Sequence, residues 1–341
     1  MKAARLDAYG GSLQLVDVPD PKASEPHDVV VRVGGAGLCR TDLHIIDGML
    51  AEHFRVDLPY TLGHENAGWV EDVGADVRDI RIGDPVILHP ELTCGLCPAC
   101  RAGRDMYCGE PRSPGFSVDG GFAEYVRVTD RALVPLAEGL EPVAVAPLAD
   151  AGLAAYRAVK RCAATLRPGS TAAVIGVGGL GHIAIQLLHA LAPVRVAAVD
   201  VSPVGLALAA QLGADEVIEG GAGAADAVRA ITGGTGADAV IDFVGDGDSP
   251  ATAVAMLARG GSYHVVGYGG SLSLPTADMV ALELTIAGSR VGTYTELVEL
   301  MSLAAAGKIH LQTEVYSLDE IGSAVDALAS GRIRGRAVIV P

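Results

Sequence analysis

Cys39-Arg40-Thr41-Asp42-Leu43-His44 places a thiol, a hydroxyl, a carboxylate and an imidazole within six residues. That is the inventory needed to hold a metal and move a proton beside it. Alone the run is weak, because a buried thiol next to an incidental imidazole looks the same. Three later stretches give it context: Gly63-His64-Glu65, a cysteine cluster, and a glycine run. The cluster is Cys94-x-x-Cys97-x-x-Cys100 followed by Cys108, four thiols in a loop containing Gly and Pro. Four sulfurs close a tetrahedral zinc shell with no open position, so this site reads as structural. A redox Cys-x-x-Cys pair would not need the other two.

The glycine run, Gly176-x-Gly178-x-x-Gly181, sits where a buried-strand pattern gives way to helical spacing. Its first glycine permits a tight turn, its second lets backbone approach a pyrophosphate, and its third lets helix pack on strand. Gly179 and Leu180 inside the run join these as candidate cofactor contacts, as do Val244, Val266 and Gly267 around the ends of two later strand patterns. Asp200 closes the strand that follows the run, nineteen residues past Gly181. A carboxylate there accepts hydrogen bonds from ribose hydroxyls and repels a 2′-phosphate, which favours NAD over NADP. The remaining candidate ligands, Cys39, His64, Glu65 and Asp150, are scattered along the chain. A catalytic zinc takes about three protein ligands, commonly from separate loops, and keeps one position open.

These residues need two different frames. A chain of 341 residues, half of them hydrophobic and 19% charged, fits two domains with sizeable cores. Up to about residue 147 the sequence is turn-rich with short β-prone runs at 13–18, 29–33, 68–73, 85–88 and 123–128. From about residue 148 strands alternate with alanine-rich helical stretches, the βαβ signature. Strands are expected at 171–176, 194–199, 237–244, 262–266 and 284–287, and helices at 180–191, 203–212 and 295–306. Ser202-Pro203 opens the second helix and Gly213 stops it. The final run, 336–340, reads as a strand that returns to the first domain.

With 41 acidic against 25 basic residues, the formal charge of -16 argues against nucleic acid and anionic membrane partners. Four of six cysteines crowd into one loop, which suits a reduced, cytoplasmic protein better than a disulfide framework. No apolar signal core or membrane-length run is present, and Cys162, outside every motif, reads as a thiol without a role.

In this order the four stretches resemble the zinc-containing medium-chain alcohol dehydrogenases, in particular the microbial NAD-dependent branch acting on primary and secondary alcohols. Pro147-Leu148-Ala149-Asp150-Ala151-Gly152 and Val265-Val266-Gly267-Tyr268-Gly269-Gly270 are typical of that branch, and the resemblance covers essentially the whole chain. It implies an α/β protein with a GroES-like, mostly-β catalytic domain over 1–147 and 289–341, and a Rossmann domain, a doubly wound parallel sheet binding NAD, over 148–288. It implies two zinc ions, a catalytic one held by Cys39, His64 and Asp150 and a structural one in the four-cysteine loop. Glu65 matches a carboxylate near the catalytic metal, and Asp42 the acid that orients the ligating imidazole. Thr41 matches the hydroxyl that takes the substrate proton, and His44 the far end of the relay to solvent. Arg40 and Arg336 match positions that meet the cofactor pyrophosphate. Relatives are commonly tetramers, and residues 284–287 could pair with their twin across a dyad, as a dimer or a tetramer.

Two rival readings stand beside this one. The first is a polyol or amino-alcohol dehydrogenase on the same scaffold, which a polar pocket would favour; the candidate lining residues Phe54, Leu62, Phe116 and Leu274 lean apolar. The second is a non-catalytic nucleotide-binding protein, marked by loss of a ligand or of the relay hydroxyl, and all of these are present.

Overall fold

The computed structural model describes residues 1–51 and 57–341. The chain divides into two compact units: Met1–Leu153 with Gly292–Ala306 and Leu311–Pro341, and Ala154–Val291 with Gly307–His310. The division falls inside the helix Ala151–Ala163, a few residues later than the texture of the sequence suggests. Residues 307–310 belong to the second unit because Gln186 donates to the His310 carbonyl at 3.0 Å and accepts from its N–H at 2.8 Å.

The first unit is built on the strand Asp28–Leu38, which pairs with Glu65–Val73, Tyr125–Thr129 and Arg336–Val340, all antiparallel. Its alternating valines fill a core with Leu6, Leu62, Phe122 and Ile339. The strand runs five residues past the valines expected to end it, through Gly34-Gly35-Ala36-Gly37-Leu38. Those glycines do not break the strand; they admit neighbours. A Cβ on Gly37 would lie 2.0 Å from Glu65 Oε2, and one on Gly34 2.7 Å from the Trp69 ring. The extension delivers Cys39 to the strand's end, where it caps a helix, Arg40–Ile46, that the polar composition had not suggested.

The second unit carries six parallel strands in the spatial order Glu216–Glu219, Arg195–Asp200, Thr171–Ile175, Ala237–Asp242, Leu257–Val265, Thr285–Gly288. In sequence rank this is 3-2-1-4-5-6, the doubly wound order, which reverses between Thr171–Ile175 and Ala237–Asp242. Both the Rossmann class and the GroES-like first unit agree with the expectation. Parallel strands covered on both faces must be apolar throughout, and Ala172, Ala173 and Val174 are fully buried. Among the described residues, no helix is long and apolar enough to cross a membrane.

Candidate active site and metal centres

The four-cysteine loop folds around the short helix Pro98–Arg101, with Cys97 as its cap. Its sulfurs lie 3.9 Å (Cys94 to Cys100), 3.5 Å (Cys97 to Cys100) and 3.6 Å (Cys108 to Cys94) apart. Zinc–sulfur bonds of about 2.3 Å place tetrahedral ligands about 3.8 Å apart, so the thiols fit a zinc ion. Backbone N–H groups point at the sulfurs, from Cys94 to Cys108 Sγ at 3.5 Å and from Cys97 to Cys94 Sγ at 3.4 Å. Such donors, together with the Cys100 thiol, pull Cys97 down to about 6, towards the thiolate a metal requires.

The second centre is assembled from three separate segments of the first unit. Cys39 ends the long strand. His64 follows Gly63, whose φ of +100° and close approach to Phe122 N, 2.6 Å from any Cβ, exclude a side chain. Asp150 ends the turn Ala146–Ala149. Donor atoms of Cys39, His64, Glu65 and Asp150 lie within 4.8 Å of one another. His64 Nε2 is 3.5 Å from Asp150 Oδ2, close to the roughly 3.4 Å edge of a zinc tetrahedron with nitrogen and oxygen ligands. The imidazole is 1% exposed, and neither ring nitrogen has a well-angled hydrogen bond. A buried imidazole left in that condition is unusual unless a cation completes it, so this donor set also fits zinc.

Asp42 stands behind the ring, its Oδ1 3.2 Å from His64 Nδ1, and its Oδ2 accepts from the Cys39 N–H at 2.8 Å. One carboxylate therefore holds two of the donor residues. Burial works against a charged His64, but Asp42, with Asp150 and Cys39 at the site, outweighs it and raises the pKa well above the ordinary value. The pocket is electrostatically made for a cation. Phe116 packs on the imidazole with ring centroids 4.5 Å apart, giving the site one apolar wall.

Thr41 lies within reach of the centre, its Oγ1 3.5 Å from Cys39 Sγ. His44 sits three residues on along the same helix, hence on the same face. Arg40 is exposed at the first position of that helix. Arg336 is 4% exposed, and its guanidinium grips the Glu65 carboxylate through Nε at 2.9 Å and through Nη2. Two charges buried together need each other, so the pair ties Glu65 down beside the metal donors. Burial keeps the Glu65 carboxyl above its usual range even with Arg336 against it. Nothing in the local sequence signals this pair, whose members lie 271 residues apart.

In the second unit, Gly176 turns with φ +87° between strand and helix, and a Cβ on Gly181 would fall 1.8 Å from the Gly176 carbonyl. Gly178 is exposed, and a Cβ there would meet nothing within 4 Å, the open cradle a pyrophosphate requires. Gly179 and Leu180 lead into the helix Gly181–Leu191, with Leu180 as its cap. His182 Nδ1 lies 2.8 Å from the Gly178 carbonyl and steadies the loop. Asp200 also braces it, Oδ2 accepting from Val177 N–H at 2.5 Å and Oδ1 from Ser202 N–H at 2.7 Å. These features fit a dinucleotide. Val244 is 43% exposed, and Val266 and Gly267 are partly exposed, beyond the ends of their strands.

Of the other expected lining residues, Leu62 is fully buried in the first unit's core and Leu274 packs against the second unit's core. Phe54 lies outside the described residues. Cys162 is fully buried, and burial pushes its thiol up to about 12, as befits an inert packing group.

Comparison with known proteins finds relatives along the whole chain. Residues 25–138 match the alcohol dehydrogenase GroES-like domain, and residues 179–306 match the zinc-binding dehydrogenase family. An NAD-dependent alcohol dehydrogenase of Sulfurisphaera tokodaii is 37% identical over the whole of both chains. The NADP-dependent D-arabinose 1-dehydrogenase of Saccharolobus solfataricus is 36% identical over 100% of this chain and 97% of its own. The crystal structure of the alcohol dehydrogenase from Aeropyrum pernix superimposes with a TM-score of 0.97 at 46% identity, covering both chains completely. With two zinc-fitting donor sets, a dinucleotide cradle and these relatives, the chain belongs to the zinc-containing medium-chain alcohol dehydrogenase family.

Proposed function

We propose that this enzyme interconverts a primary or secondary alcohol and its aldehyde or ketone, moving hydride to or from NAD at the Cys39, His64 and Asp150 centre. The observation that carries this reading is the buried His64, with both ring nitrogens against anionic groups and a thiol and a carboxylate converging on it. Cys39, His64 and Asp150 would hold a zinc ion that would supply Lewis-acid polarisation of the substrate oxygen, and NAD held at the glycine run would supply the hydride acceptor. The residues supply the rest. Asp42 fixes the tautomer and orientation of His64. Asp150, its side chain 17% exposed, offers a hard oxygen on the solvent side of the cluster. Thr41 accepts the proton that the alcohol loses and hands it towards His44, one helical turn away, and from there to water. Glu65 stays beside the metal position, restrained by Arg336. Arg40, exposed at the helix start, is assigned to the cofactor pyrophosphate, and Asp200 to the ribose.

Phe116 against His64 favours a substrate with an apolar body over a polyol, although the sugar-oxidising relative shows the scaffold serving that chemistry too. We assign the catalytic domain to residues 1–147 and 289–341 and the cofactor domain to 148–288, with the cytoplasm as the compartment, supported by the clustered free thiols. Thr285–Gly288 is an edge strand, and Met279 and Val280 just before it are exposed, which supports a homo-oligomer, a tetramer in our reading.

The test is NADH absorbance with cyclohexanol, 2-butanol, benzyl alcohol and sorbitol, with and without chelator, beside metal analysis. Turnover of the first three, lost to the chelator, with two zinc ions per chain is the expected result. A fully active enzyme with one zinc, in the cysteine loop, would sink the reading.

A further inference from the structure

Asp242, at the C-terminal end of the strand Ala237–Asp242, is fully buried, and neither the metal centre nor the proton path uses it. Its Oδ1 accepts from the N–H groups of Val244 at 2.8 Å and Gly245 at 3.0 Å. Its Oδ2 accepts from the hydroxyls of Tyr263 and Ser249, each at 2.9 Å. Its main-chain oxygen accepts from Val266 N–H at 2.9 Å and Gly267 N–H at 3.1 Å. Four side-chain hydrogen bonds are what make a buried carboxylate tolerable, and they also fix its plane.

The segments so tied have no room between them. Gly245 has φ +60°, and a Cβ on it would lie 2.0 Å from the Gly267 carbonyl oxygen. A Cβ on Gly267 would meet the Val244 carbonyl carbon at 2.3 Å, and one on Gly176 would meet Val244 Cγ2 at 2.8 Å. Three turns, one after each of the strands Thr171–Ile175, Ala237–Asp242 and Leu257–Val265, therefore pack against one another. In a doubly wound sheet the dinucleotide spreads across the strand ends at the reversal of order, one mononucleotide on each half. Asp200 belongs to the half that takes the adenosine, while Val244, Val266 and Gly267 lie on the other, which takes the nicotinamide.

We infer that Asp242, clamped by Tyr263 and Ser249, is a positioning residue that shapes the Val244-Gly245 and Val266-Gly267 turns for the nicotinamide half of NAD. The inference rests on the NAD reading above and deepens it. Tyr263 and Ser249 act through Asp242: they hold Oδ2 so that Oδ1 faces both N–H groups. An amide in place of the carboxylate keeps the arrangement, because its oxygen still accepts from the backbone while its NH2 donates to two hydroxyls free to rotate.

The test uses two ligands on the zinc-loaded enzyme by calorimetry: NADH, and ADP-ribose, which lacks only the nicotinamide. Asp242→Leu, and separately the double variant Tyr263→Phe with Ser249→Ala, are expected to weaken NADH about tenfold and ADP-ribose by less than about twofold. Asp242→Asn is expected to bind both nearly as the parent does. Should Asp242→Leu not fold, the double variant decides. Equal loss for both ligands would mean general loosening and overturn the inference, and so would undiminished NADH binding in the double variant. If the parent bound neither ligand, the NAD reading itself would fall.

Discussion

The two zinc-fitting centres of the first unit use similar donors in opposite ways. The cysteine loop takes all four from fifteen consecutive residues, and Cys94 is exposed. The mixed centre takes its donors from residues 39, 64, 65 and 150, with all but Asp150 buried. A local site can form as soon as its loop closes around a metal, whereas a distributed site exists only after the sheet has aligned its strands. Closed coordination by four sulfurs staples a loop; coordination by three residues, with an anionic field already built around an imidazole, leaves room for substrate.

Losing a ligand should have different consequences at the two centres. His64→Ala should cut turnover about a thousandfold or more while zinc falls from two to one per chain, and the melting temperature should drop by less than it does on loss of the loop zinc. Cys97→Ser should remove the other zinc and lower the melting temperature by more than about 5 °C, with activity lost only as the fold is lost. Identical stability losses in the two variants, followed by calorimetry and metal analysis, would erase the distinction.

Thr41→Val tests the relay without touching a ligand. Turnover should drop about a hundredfold with NADH affinity intact, and undiminished turnover in stopped-flow assays would remove Thr41 from the proton path. A smaller effect belongs to Asp200→Gly. It should raise acceptance of NADP relative to NAD, but the carboxylate also braces Val177 and Ser202. The KM for NAD itself should therefore rise about tenfold, and a KM that stays put would show the loop to be held elsewhere.

Two buried histidines sharpen the point that burial alone does not make a metal site. Carboxylates raise His64, whereas burial and the nearby Arg161 push His264, in the second unit, down to about 4. Below its ordinary value of 6.5, the unfolded chain takes up a proton at His264 that the folded protein refuses. Stability is then fully present above that pH and declines as the pH falls towards 4, by about 1 kcal/mol between pH 6.5 and 5.5. Denaturant melts of His264→Gln should show a correspondingly flatter decline over that interval.

Local spacing carried much of this protein into view. Four cysteines within one loop, and three glycines between strand and helix followed by an acid, are readable because their partners are sequence neighbours, and chain geometry alone forces them together. The βαβ alternation did the same for the second unit's sheet. The long central strand was misread at its glycines, since only the presence of Glu65 and Trp69 across the sheet explains why no side chain fits there. The resemblance points Arg336 at the cofactor, and nothing near it in the sequence tells of the carboxylate 271 residues away that it grips. The Asp242 clamp likewise joins hydroxyls at positions 249 and 263, ordinary in any sequence. Residue order determined which groups were available and which short-range sites they form. Tertiary packing alone decided which buried charges meet, because a charge removed from water takes whatever partner the fold brings within hydrogen-bond reach.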